Sequence, residues 1–461
     1  MKLSDINGQR FNQALLGVVI LVIIAVGCWS VNLFGRPWIQ AEKTTPAENK
    51  YTTSDLKPES DLTQADAGVF KDRGDLAFVE GGLLYVLEGK SGCVTRLSDT
   101  GQALDPMWSH DGQWLAYIRT GEIDRLSGTL WMVKRDGTQS HQVEGLSGSV
   151  MQGAYAWSPV ANKLAVRNDG IWLVGEQGPP ARIVKTESES ALSLVWSPDG
   201  RQLAYSTTLP YKQEEVQDRS DALYTVDIFS GHTTQHLTAQ TAGIHLMAWQ
   251  PDGKGLLYWE IPGHGASVAA DGVDLCSFQF GNQVSLHLSA GLTSRNWWSM
   301  APNGSLLRVA GTGREIWTNK WLELFDINSG KSSRVNIAPG SIPADPAFSP
   351  DARQIAYVTA SDLGSKDYPD QEKLDSWMDT RTLWVANSDG SEARPLSNAG
   401  QDMQEPQWSR DGKYIMYISE DCLWMIDTQG KQRHKILGPF PDEDDYFGLG
   451  MGSYVLDWYK G

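Results

Sequence analysis

The side chains in this chain that could do chemistry are few and scattered. Its eight histidines do not group. His110 stands where a repeated turn elsewhere carries Pro, His232 and His236 lie near a turn between two strands, and no His has a Cys or a second His at ligand spacing on its own strand. They read as surface or structural residues. The four cysteines make no disulfide framework. Cys276 fills a slot held in other repeats by Trp131, Trp172, Tyr224, Trp384 and Trp424, which makes it a packing residue. Cys93 and Cys422 read as free buried thiols; a bridge between them is the alternative, because the repeats that carry them become neighbours in a closed ring. The stretch "PDEDDYFGLG" gathers Asp442, Glu443, Asp444 and Asp445, hard oxygen donors of the kind that hold Ca²⁺. Their spacing fits no calcium loop, so the stretch reads as a solvated connection and no cofactor or metal is expected. There is no Gly-x-Ser-x-Gly nucleophile elbow, and no catalytic residue is assigned.

Composition narrows the partners. With a net charge of −17 and a pI near 4.9, the chain has no general attraction for phosphate backbones, so nucleic acid is not expected as a partner. The 19 tryptophans are the unusual feature.

Three segments precede the repeats. Residues 1–13 are a short tail. Ala14 to Phe34, "ALLGVVILVIIAVGCWSVNLF", runs 21 residues without a charge, long enough to cross a hydrocarbon core of ~30 Å. This reads as a single transmembrane helix. The alternative is a lipoprotein-type signal in which Cys28, after the small Gly27, is lipidated; against it, "WSVNLF" prolongs the apolar run beyond that cysteine. Lys2 and Arg10 before the span nearly balance Arg36 and Lys43 after it. Because short tails ahead of a first span usually stay inside, the body is placed outside the cytoplasm, in the periplasm or at the cell surface. Residues 35–73 are polar and nearly empty of large apolar side chains, a tether that cannot bury enough surface to order itself.

Residues 74–461 are repetitive. "MWSHDGQWLAYI", "AWSPVANKLAVR", "VWSPDGRQLAYS", "AWQPDGKGLLYW", "SMAPNGSLLRVA", "AFSPDARQIAYV" and "QWSRDGKYIMYI" place an anchor residue at Trp108, Trp157, Trp196, Trp249, Met300, Phe348 and Trp408, at intervals of 39 to 60 residues. Each copy is followed by a second element such as "TLWMVKRDG" or "CLWMIDTQG". A strand ending on the anchor, a Pro-Asp-Gly turn and an alternating strand form one hairpin; the second element and its Gly-containing turn form another. Four antiparallel strands, A to D, with apolar residues on both faces must stack on neighbours, and radial stacking gives a β-propeller.

The two ends of this region complete each other. "YVLDWYKG" matches an A strand, with Trp458 at the anchor, and has no B, C or D strand after it; "DLAFV", "LLYVLEG" and "CVTRLS" match B, C and D with no A strand before them. Joined, they make an eighth blade. The expected fold is therefore all-β, an eight-bladed propeller of seven continuous blades and one composite blade closed by the C-terminal strand, which leaves no open sheet edge.

The repeated "WSPDG", "LAY" and "LW…DG" elements resemble the TolB-like propeller family, whose repeats also form the propeller of dipeptidyl-peptidase-type enzymes. The resemblance covers Gly74 to Gly461 and implies the fold; for function it implies little, since propellers bind proteins, carry catalytic domains or host sites of their own. The chain departs from TolB in having a tether too short and too polar for the α/β domain that precedes that propeller. It departs from the peptidases in having no hydrolase segment after the last blade.

The connections point to one face. A-to-B and C-to-D turns are short throughout, whereas B-to-C and D-to-A connections hold the insertions, among them "TTLPYKQEEVQDRSD", "AGTGREIWTNK" and "TASDLGSKDYPDQEKLDSWMDTR". Long loops gathered on one rigid face are where binding concentrates. Tyr211, Trp317, Tyr368, Trp377 and Tyr446 are the aromatic candidates for that face. The resulting expectation is a membrane-tethered, non-catalytic binding or scaffold module with a protein partner on the long-loop face. The alternative is an enzyme, or a carbohydrate-active or ligand-binding propeller, with its site at the mouth of the central channel.

Overall fold

The A-to-B turns show how the repeat folds locally. In a computed structural model, which describes residues 67–461 apart from 101, 122–125, 186–190, 210–219, 263–271, 314 and 441–455, Ser109 Oγ donates to Asp111 Oδ1 (2.8 Å). That same carboxylate accepts from the Gln113 amide (2.9 Å), while Ser109 Oγ accepts from the Trp114 amide (3.0 Å). The pattern recurs at Ser197–Asp199, Ser349–Asp351 and Ser409–Asp411. Each loop thus satisfies its own backbone donors, as tight turns built on Ser and Asp do. The last turn position has positive φ, 66° at Gly112 and 65° at Gly200, which explains the glycine of the motif.

Eight antiparallel sheets follow, in the expected number. Blade 1 is composite: Leu456–Tyr459 is its inner strand, followed outward by Asp75–Glu80, Leu83–Glu88 and Val94–Arg96. The inner strands of blades 2 to 8 are Gln102–Trp108, Tyr155–Trp157, Ala191–Trp196, Ala242–Trp249, Trp298–Met300, Ser341–Phe348 and Gln404–Trp408. Each pairs with the next strand in sequence, and that with the next, to an outermost fourth; in blade 2 the short strand Val150–Met151 also pairs the third. In the composite blade Leu76 stands opposite Trp458 and Phe78 opposite Leu456. Trp458 and Leu456 are buried with Phe70, Leu423 and Met425, so the closing strand belongs to the core between blades 8 and 1.

The anchor tryptophans do more than fill space. Trp157 Nε1 donates to the Met107 carbonyl of the preceding inner strand (3.0 Å), Trp196 to Ala156 (2.9 Å), Trp249 to Val195 (3.0 Å), Trp408 to Ala347 (3.2 Å) and Trp108 to Asp457 (3.0 Å). Inner strands of adjacent blades do not pair in one sheet, and these bonds satisfy carbonyls at the channel wall. Where the anchor is Met300, a different contact joins the blades: the buried Arg308 of blade 6 pairs with Glu323 (2.7 Å) and donates to Ser289 of blade 5.

Third-strand tryptophans are half-buried, and arginines sit over the rings of Trp131, Trp172, Trp321 and Trp424, with Arg119 3.7 Å from Trp131 and Arg433 3.6 Å from Trp424 the nearest. Most of the tryptophan excess is therefore structural, as expected. Cys93 and Cys422 are both free; Cys422 is buried but Cys93 is exposed, in contrast to the expectation that both are covered. Among the described residues no helix is long and apolar enough to cross a membrane; the segment 14–34, with Cys28, lies outside them.

Deleting Leu456–Gly461 removes two buried side chains, Leu456 and Trp458, and the inner strand of a sheet. Burial alone puts the loss at roughly 4 kcal/mol, so the melting temperature should fall by many degrees and blade 1 amides should exchange freely. Unchanged thermal unfolding after this deletion would contradict the composite blade.

Candidate functional site

Position three before the anchor faces the next blade. In blades 2, 7 and 8 it carries an acid followed by proline: Asp105-Pro106, Asp345-Pro346 and Glu405-Pro406. All three acids have positive φ (55°, 46° and 49°), and the pairing of each inner strand with its neighbour slips there. These are β-bulges. Proline has no N–H to offer a ladder, and the bulge is where its presence costs least. A non-glycine residue at positive φ is strained, a feature that concentrates at functional sites.

The bulges turn carboxylates to the channel wall. Asp105 Oδ2 accepts from the Gly153 amide of blade 3 (2.9 Å), Asp345 Oδ2 from the Glu405 amide of blade 8 (3.2 Å), and Asp457, on the inner strand of blade 1, from the Trp108 amide of blade 2 (2.7 Å). Asn296 Nδ2 donates to Glu405 Oε1 (2.5 Å), joining the entry to blade 6 with blade 8. Ser193 holds the same position in blade 4 and accepts from the Leu246 amide (3.0 Å). One role of this position is therefore to tie inner strands together.

Its second consequence is charge. Three carboxylates on consecutive blades, Asp345 of blade 7, Glu405 of blade 8 and Asp457 of blade 1, line a cavity of about 210 Å³ together with Arg295, Asn296 and Trp298, and the buried Asp105 of blade 2 lies behind its wall, within electrostatic reach of Arg295 and Asp457. Arg295 and Asn296 belong to the D-to-A connection ahead of blade 6, so this is the channel mouth on the long-loop side. Burial pushes the Asp105 carboxyl up to about 6 against the hydrogen bond from Gly153 and the attraction of Arg295, with Asp457 adding to the rise. Burial also raises Asp345, opposed by Arg381, and Asp457, opposed by its bond from Trp108. Among the described residues no Ser, Cys, Lys or His lines this cavity.

The aromatic candidates of the long connections divide. Trp317 and Trp377 are 1% and 2% exposed. They pack with Leu292, Trp297, Val309 and Leu374 in a small core that holds the insertions of blades 6 and 7 onto the ring. Trp377 Nε1 donates to the Ser361 carbonyl (2.8 Å) and Trp317 Nε1 to that of Ser365 (3.0 Å). They are loop supports and not exposed binding residues; an insertion this long needs a core of its own, and its largest side chains supply it. Tyr368 is 58% exposed and rests edge-on against Trp317 (5.2 Å). Tyr211, Tyr446 and the carboxylates Asp442, Glu443, Asp444 and Asp445 lie outside the described residues.

Sequence reasoning missed the bulge acids. The signal that could have found them is the recurrence of acid-Pro-x-Trp/Phe-Ser, "DPMWS", "DPAFS" and "EPQWS", which begins two residues upstream of the motif used to count blades.

No family model matches the chain, and no curated protein sequence matches it. Solved structures do. Dipeptidyl peptidase 4 of Porphyromonas gingivalis is similar over 86% of this chain at 12% identity and a TM-score of 0.53. This chain spans 63% of that enzyme's length, and a likeness at such identity concerns the fold alone. An oligogalacturonate lyase of Vibrio parahaemolyticus (79% of this chain and 98% of that one, 12% identity, TM-score 0.42) also matches. So does a TolB protein of Acinetobacter baumannii (78% of each chain, 13% identity, TM-score 0.34).

The raised Asp105 makes stability depend on pH with a definite sign. A carboxyl that is harder to ionise in the folded state than in the unfolded one holds its proton longer when folded, so its contribution opposes folding as pH rises from about 4 through about 6. Asp105→Asn keeps an oxygen for the Gly153 amide and removes the charge. It should be the more stable protein at pH 7, by up to ~3 kcal/mol, with the difference vanishing near pH 4 in urea titrations. An Asn variant less stable than the parent at pH 7 would show that the Asp105 charge is well compensated.

Proposed function

We propose that this protein is a membrane-tethered, extracytoplasmic propeller of TolB-like type that acts as a non-catalytic binding module. Its partner is a protein segment bearing basic side chains, docked over the channel mouth on the long-loop face. The observation that carries this reading is the arc of Asp345, Glu405 and Asp457 at that mouth, backed by the buried Asp105 and lined, among the described residues, by no Ser, Cys, Lys or His. A chain of net charge −17 adds a long-range attraction for a cationic partner. Tyr368, exposed on the blade 7 insertion, is a residue of the type that anchors protein contacts. The membrane tether rests on the apolar run 14–34 and the polar stretch 35–73.

One observation favours an enzyme instead. A carboxyl raised to about 6 beside further acids and an arginine is the combination from which a general acid working near neutral pH is made. In that case Asp105 would be the acid, and its loss would abolish turnover while leaving ligand capture intact.

A photo-crosslinking side chain placed at Tyr368 or Gln407 of the full chain in its native membrane should give a discrete protein adduct. The same side chain at Phe229, which is 71% exposed in a short C-to-D turn on the opposite face, should give none. Equal adducts from both faces, or adducts from Phe229 alone, would overturn the assignment of the long-loop face.

A further inference from the structure

Blade 5 departs from a pattern that blades 2 and 8 share. In blades 2 and 8 the outer half of the sheet carries a tyrosine on the second strand and a tryptophan facing it on the third, with an arginine on the ring: Tyr117, Trp131 and Arg119, then Tyr417, Trp424 and Arg433. The corresponding tyrosine of blade 5 is Tyr258, and facing it stands Cys276. Two residues after Tyr258, where blade 2 has Arg119, stands Glu260. Across the outermost pairing, Cys276 is opposite His287. A thiol, an imidazole and a carboxylate thus replace a stacked arginine and indole.

Their donor atoms converge. Cys276 Sγ lies 3.5 Å from His287 Nδ1 and 3.9 Å from Glu260 Oε2, and all three atoms fall within 4.8 Å of one another. Metal–sulfur bonds of ~2.3 Å and metal–nitrogen or metal–oxygen bonds of ~2.0–2.2 Å at tetrahedral angles put donors about 3.5 Å apart. Cys276 is fully buried against blade 4, in a cluster with Ala204 and Leu223, whereas His287 is exposed on the outermost strand. The site is therefore rigid on one side and open to solvent on the other.

We propose that Glu260, Cys276 and His287 form a binding site for a borderline-soft divalent transition metal of the Zn²⁺ class, with three protein donors and a fourth position open to water. One thiolate and one imidazole select this class over Ca²⁺ and Mg²⁺, which prefer oxygen alone. Binding is a substitution without change of oxidation state. The metal–sulfur bond replaces the thiol S–H bond, and the proton leaves to solvent. The site sits on the rim between blades 4 and 5 and is independent of the channel mouth.

The test is a Co²⁺ titration of the full chain, purified in detergent, reduced and stripped with chelator. The expected result is one Co²⁺ per chain, with a thiolate-to-cobalt charge-transfer band in the near ultraviolet and the visible bands of a four-coordinate ion, both lost on adding Zn²⁺. A Cys28→Ser, Cys93→Ser, Cys422→Ser triple variant should keep the band and Cys276→Ser should lose it. His287→Ala, on an exposed strand and so not expected to disturb folding, should weaken binding at least tenfold and decides the matter if Cys276→Ser does not fold. Absence of the band in the parent chain, or its survival in Cys276→Ser or undiminished in His287→Ala, would overturn the proposal.

Discussion

An indole N–H reaching to the carbonyl of the preceding inner strand is the contact on which the ring depends. A propeller's blades are separate sheets, so the inner strands that surround the channel have backbone groups that no ladder satisfies. Trp157, Trp196, Trp249 and Trp408 each satisfy one of them across a blade boundary, and Trp108 does so for the closing strand through the Asp457 carbonyl. Each bond contributes only ~1 kcal/mol net, but an unpaired carbonyl at the same place would cost as much or more. The same indole fills the space between two sheets, so one residue type serves packing and polar satisfaction together. That is why the anchor recurs while the rest of the repeat drifts.

This double duty explains what was legible in the sequence. A side chain constrained twice is conserved from blade to blade within the chain, and the spacing of Trp108, Trp157, Trp196, Trp249 and Trp408 is enough to count the blades. Closure was legible for the same reason, because Trp458 carries the mark of an inner strand wherever it stands. The long-loop aromatics were not. Trp317 and Trp377 sit in insertions with no repeat to compare, and nothing local distinguishes an aromatic that supports a loop from one that the loop presents. The grouping of Glu260, Cys276 and His287 was hidden for a third reason. Their neighbourhood is created by pairing across three strands, so no spacing along any single strand records it.

The inner-strand bulges link this scaffold to the channel mouth. A regular inner strand would carry its hydrogen bonds to the second strand without interruption. The positive φ of Asp105, Asp345 and Glu405 interrupts it; Asp105 and Asp345 are thereby aimed at a backbone amide of the next blade, and Glu405 at the Asn296 side chain. Because the acceptor is ionisable, the device that ties blades together also collects negative charge at one side of the channel. Blades 3, 4 and 5 have Ala154, Ser193 and Leu246 at the same position, so the charge is confined to one arc. Arg295 offsets part of it without filling the cavity. A ligand meeting this mouth encounters a one-sided field, the situation in which electrostatics governs which partner binds and how fast.

The proposed binding role depends on whether that arc of acids is what a partner meets. The most direct measurement is the yield of crosslinked partner from native membranes when Glu405→Gln and Asp345→Asn are introduced together, compared with Phe229→Ala on the opposite face. The arc predicts that the double variant, while still folded, loses most of the adduct, that rising salt weakens the parent in the same way, and that Phe229→Ala changes nothing. Full retention of the adduct by the folded double variant would contradict it.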